Sequence, residues 1–147
     1  MAIPVHPVGT HIAGPLKQGA KSMLLSTDPG GISGATTLTA DESNGQTYIL
    51  DAAVGSAITL PAPTKGWRCK FIIGVVHITT DWVFTAASAG QLQGSVTEAG
   101  LVQLVAAADT INVELGTAVI GDWFEFASDG TSIFVSGQTS GATATPA

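Results

Sequence analysis

The chain has 147 residues, enough for one domain with a sizeable core, and carries five cations against eleven acids. A net charge of −6 repels phosphate, which excludes nucleic acid as a partner. A charged fraction of 11% is under half the usual quarter, so Gly, Ala, Ser and Thr dominate the surface, which suits a protein packed against neighbours.

The first segment, Met1–Ser22, reads as an extended arm. Pro4, Pro7 and Pro15 fix φ and remove donors, and Gly9, Gly14 and Gly19 loosen what remains, so neither a helix nor a central strand forms. Ile3, Val5, Val8, Ile12 and Leu16 are nevertheless apolar, with Lys17 and Lys21 at the arm's end. Five aliphatic side chains return less free energy than ordering such a segment costs, so the arm is expected to need a docking surface. These seven residues are the candidate partner-binding set; packing of the arm along its own domain is the alternative. Residues 23–35 follow as a Gly-rich hinge. Gly30-Gly31-Ile32-Ser33-Gly34 lacks the Lys and the following helix of a phosphate loop.

From Thr36 to Gly137 the pattern is β-rich. Strands are expected over Thr36–Thr39, Gln46–Asp51, Ala57–Leu60, Trp67–Thr79, Asp81–Ala86, Leu101–Val105 and Thr110–Leu115. Asn44-Gly45 marks a turn, Pro61-Ala62-Pro63 a stop, and Gly74 a bulge or bend. Glu98–Ala108 is ambiguous between strand and helix. Trp123–Ser128 and Thr131–Val135 flank Asp129-Gly130 as a hairpin with a two-residue loop and bulk on both faces. Eight or so short strands predict an all-β fold, a β-sandwich or jelly-roll-like single domain with Greek-key connections. Residues 138–147 carry no charge and read as a free tail.

The chain is poor in catalytic material, and no enzyme and no cofactor are expected. His6 and His11 lie in the arm, and His77 reads as a structural histidine. No G-x-S-x-G elbow occurs. Cys69, the one cysteine, excludes an internal disulfide or Cys-rich metal site and reads as a buried structural thiol. Asp122 and Asp129 look like turn-formers, and the acids lack the dense spacing of a calcium loop. Trp67, Trp82 and Trp123 suit core or interface burial better than a sugar platform. No apolar run reaches the roughly 18 residues of a membrane span, and no basic residue opens a secretory signal. Synthesis in a host cytoplasm is therefore expected, with no membrane partner.

Three phrases carry a resemblance: Gly45-Gln46-Thr47-Tyr48-Ile49-Leu50-Asp51; Ala57-Ile58-Thr59-Leu60-Pro61-Ala62-Pro63; and Gly66-Trp67-Arg68-Cys69-Lys70-Phe71-Ile72-Ile73-Gly74. With Gly121-Asp122-Trp123-Phe124-Glu125-Phe126 and Ser128-Asp129-Gly130-Thr131, the segment 36–137 resembles small β-proteins of tailed-bacteriophage virions, including capsid decoration, or cement, proteins and some fibre and spike modules. The resemblance implies a structural protein on the capsid surface that binds the major capsid protein, and it brings no catalytic residue. The alternative it leaves is a carbohydrate- or receptor-binding module of a tail fibre or spike. A homotrimer is expected, because a charge-poor surface and a hairpin bulky on both faces call for closed symmetry, and shells offer three-fold positions.

Overall fold

The computed structural model describes residues 31–141 and 144–147. The chain forms β1 (Gly31–Ile32), β2 (Thr36–Thr37), the single helical turn α1 (Ala40–Ser43), β3 (Gln46–Leu50), β4 (Ala57–Thr59), β5 (Arg68–Ile73) and β6 (Trp82–Thr85). It continues through β7 (Leu92–Glu98), β8 (Leu101–Ala108), β9 (Thr110–Val113), β10 (Trp123–Ser128), β11 (Ile133–Thr139) and β12 (Ala144–Pro146). A seven-stranded sheet, ordered β1-β3-β5-β10-β11-β7-β8, faces a five-stranded sheet, ordered β12-β9-β6-β4-β2. The expected all-β sandwich is therefore the fold.

Its connections depart from the Greek key in the first half. Strands β1 to β6 alternate between the two sheets, so β1, β3 and β5 run parallel in one and β2, β4 and β6 run parallel in the other. The punctuation of the chain accounts for this. Each strand is short and ends in residues that cannot extend it, such as Pro61 and Pro63 after β4, so the chain crosses to the opposite layer. The strand expected over Trp67–Thr79 stops at Ile73 for a related reason. Gly74 brings its backbone so close to Ile49 that a Cβ would lie 2.3 Å from Cγ2 of that side chain, and the following residues form a crossover loop.

Three further elements differ from expectation, and one left open is settled. β7 has little apolar alternation to announce it, yet it pairs parallel with β11 at a point where only glycine fits: a Cβ on Gly94 would lie 2.1 Å from the Val135 carbonyl oxygen. The ambiguous Glu98–Ala108 segment gives the end of β7 and all of β8, joined by a two-residue turn in which Ala99 (φ 47°) and Gly100 (φ 86°) both take positive φ. The β10–β11 hairpin closes through four residues, Asp129 to Ser132, because Ser128 pairs with Ile133. The last residues, expected to be free, include β12 on the edge of the smaller sheet.

The core is built on aromatic rings from both layers. Phe84 of β6 stands among three rings of the larger sheet, 4.8 Å from Phe71, 5.4 Å from Phe124 and 5.0 Å from Phe126 between centroids. Trp67 and Trp82 are fully enclosed with them, and the Trp67 indole N–H donates to Ser43 Oγ at 2.9 Å. That bond ties α1 to the core. Thr39 caps α1 by accepting from the Glu42 N–H, and its hydroxyl donates to the Glu42 carboxylate, a reciprocal cap.

Candidate interaction surface

The seven arm residues Ile3, Val5, Val8, Ile12, Leu16, Lys17 and Lys21 lie outside the described residues. The groups singled out for chemistry inside the domain are engaged in holding it together. His77 is buried in the β5–β6 crossover, where its Nε2–H donates to the Val113 carbonyl at 2.8 Å. Asp122 accepts from the Val119 N–H at 2.8 Å with one carboxylate oxygen, and from both the N–H and hydroxyl of Ser140 at 2.9 Å with the other. It thereby fixes the entry of β10 against the exit of β11. Asp129 accepts from the N–H groups of Thr131 and Ser132 at 2.7 and 2.8 Å, and these bonds hold its carboxyl below the usual carboxylate range. Burial pushes the Cys69 thiol up to about 12, the value of an inert core group. No three His, Cys, Asp or Glu side chains among the described residues converge on a common point for a metal.

The third tryptophan differs from the other two. Trp123 is half-buried on the outer face of the larger sheet, and Lys70 Nζ sits 4.6 Å over the centre of its ring. The hairpin's two bulky faces are thus unequal. Phe124, Phe126, Ile133 and Val135 fill the core, while Trp123, Glu125, Ala127 and Phe134 look outward. Beside them a shallow groove of about 270 Å³ runs between Gln46, Thr47, Arg68, Lys70 and Glu125.

The apolar surface is concentrated at one end. The loops β3–β4, β5–β6 and β9–β10 all cross between the layers there and are bonded to one another: Ile78 N–H to the Ala53 carbonyl, Gly116 N–H to the His77 carbonyl, and Leu115 N–H to the Asp81 carboxylate. Val54, Ile78, Leu115, Val119 and Ile120 project from these loops into solvent. The β7–β8 turn lies at the same end, where Ala99 N–H donates to the Thr139 carbonyl. Beyond it β8 exposes Leu101 (76%), Val102 (71%) and Leu104 (69%) along an outer strand. Large apolar side chains that remain open on a charge-poor domain make this end and edge the candidate interaction surface.

The sequence leaves this surface unannounced, since Glu98–Ala108 is ambiguous between helix and strand. The available signal was Leu101-Val102-Gln103-Leu104-Val105, a segment with no two-fold alternation, which cannot bury one face and wet the other. Among the described residues no helix is long and apolar enough to cross a membrane. In comparison with known proteins, no family model, no curated sequence and no solved structure matches the chain.

Proposed function

We propose that this protein is a virion structural protein that decorates and stabilises a bacteriophage capsid by binding the lattice of the major capsid protein. The observation that carries the reading is the exposed apolar end and edge of a domain with an otherwise small-polar surface. The domain is a two-layer body, and His77, Asp81, Asp122 and Asp129 are occupied in turn and crossover bonds. A protein that binds the assembled lattice and not its separated subunits stabilises the shell by mass action. In this reading the arm, with Ile3, Val5, Val8, Ile12 and Leu16 for apolar pockets and Lys17 and Lys21 for acidic neighbours, reaches the capsid subunits. Three copies group around a three-fold position so that weak arms gain avidity.

Buried tryptophans favour this reading over recognition of a host glycan. Trp67 and Trp82 are inaccessible, and the Lys70 ammonium occupies the ring face of Trp123 on which a sugar would stack.

The test is co-sedimentation of the purified protein with shells prepared without it, compared with a variant lacking residues 1–22. The full chain is expected to pellet with the shells and to raise the temperature at which they burst. The shortened chain is expected to fold and remain in the supernatant. Saturating decoration by the shortened chain would overturn the anchoring role of the arm, and no binding by the full chain would overturn the function.

A further inference from the structure

The unprotected part of β8 has a property that follows from its hydrogen-bond parity. Ala99 N–H points to Thr139 of β11, so the neighbouring Glu98, together with Val96 and Gly94, directs its backbone groups at β8. Their register partners are Leu101, Gln103 and Val105. Val102 and Leu104 therefore present their N–H and C=O groups to the free edge. Lower down, the register shifts between Leu92 and Gly94, and Ala107 takes a φ of 53°; such a bulge turns an edge away from foreign strands. The five residues above it have none of the usual protection: no bulge, no lysine and no proline.

Those five residues, Leu101-Val102-Gln103-Leu104-Val105, are symmetric in character about Gln103. We infer that two copies of this chain pair antiparallel through β8, about a two-fold axis at Gln103. Val102 then faces Leu104 of the second copy in both halves of the contact, and each pair exchanges two main-chain hydrogen bonds with the groups that parity leaves free. Leu101 meets Val105 of the second copy. The two Gln103 residues form the central non-hydrogen-bonded pair, with Cα atoms about 4.5 Å apart. The contact is isologous, so it closes on itself and leaves no sticky edge.

The apolar start of the chain's own arm, Ile3 to Val8, fits this edge less well. An added strand offers alternate N–H groups to its neighbour, and Pro4 and Pro7 stand at opposite parity, so any register across Ile3 to Val8 loses a donor. The two-fold contact is separate from the three-fold grouping on the shell and would link one such position to the next.

Disulfide trapping reads the register directly, since Cys69 is buried and contributes no background. Gln103→Cys is expected to cross-link into a covalent dimer under mild oxidation, because 4.5 Å lies within disulfide reach, about 4.4–6.8 Å between Cα atoms. Val102→Cys is expected to stay monomeric on the same gel, as two copies of that position lie on a diagonal about 7–8 Å apart. Sedimentation velocity is expected to give a concentration-dependent dimer for the unmodified chain and at least tenfold weaker association for Leu104→Lys. Absence of the Gln103→Cys cross-link, equal trapping at Val102→Cys, or a monomer at every concentration would overturn the inference. A trimer without the cross-link would overturn it too, while leaving the three-fold arrangement standing. Should Leu104→Lys fail to fold, the cysteine pair still decides.

Discussion

The larger sheet contains two hairpins whose different fates are set by position as much as by composition. β10–β11 lies in the middle, between β5 and β7, and alternates: Phe124, Phe126, Ile133 and Val135 inward, Glu125, Ala127 and Ser136 outward. Its turn is fixed by Asp129. β7–β8 lies at the edge, and its outer strand exposes apolar residues on both faces. The first hairpin is complete in one chain. The second has an outer strand whose Leu101, Val102 and Leu104 side chains stay exposed among the described residues, and an open apolar edge is what natural sheets usually avoid.

The contrast can be broken first at the central hairpin. Phe126→Ala removes a fully buried ring in contact with Phe71 and Phe84, and is expected to destabilise the domain by about 3–5 kcal/mol in urea unfolding. A loss under about 1 kcal/mol would mean that the two layers do not meet through this cluster. On the outer face of the same hairpin, Trp123→Ala loses a half-buried ring and the Lys70 contact, for an expected cost of about 1–2 kcal/mol. The sequence, which makes all three tryptophans look alike, would assign it the larger value of a core residue.

A smaller effect comes from the turn. Because the N–H groups of Ser132 and Thr131 lower the Asp129 carboxyl below its ordinary 3.8, its contribution is present above that value and is lost as pH falls through the folded-state value. Melting curves of the unmodified chain and Asp129→Asn, compared between pH 5 and pH 2, are expected to converge as the acid limb is reached. A difference that stays constant would show that the carboxylate charge plays no part in the turn.

How much could be read without the structure follows the same division. Alternating Phe124, Phe126 and Val135 with an Asp-Gly turn announce the central hairpin, because burial on one face leaves a period-two record. The fold class was legible for that reason, as were the structural roles of His77, Cys69, Asp122 and Asp129. The zigzag of β1 to β6 was not, since the choice between pairing with the previous strand and crossing to the opposite layer is a tertiary event that short strands do not encode. β7 was hidden because Gly94 is required by a close backbone approach to β11, and its polar neighbours Gln93 and Ser95 give no apolar alternation. The exposed apolar edge was recorded in Leu101–Val105, but as a missing alternation, a signal visible only once β8 is known to be an edge.

Hydrogen exchange on the intact chain at two protein concentrations tests the central claim most directly. The account predicts that the amides of Val102 and Leu104 exchange freely in dilute solution and gain protection as the concentration rises. Those of Phe124, Phe126 and Val135 should remain equally protected throughout. Protection of Val102 and Leu104 that is already full in dilute solution, or that never rises with concentration, would contradict it.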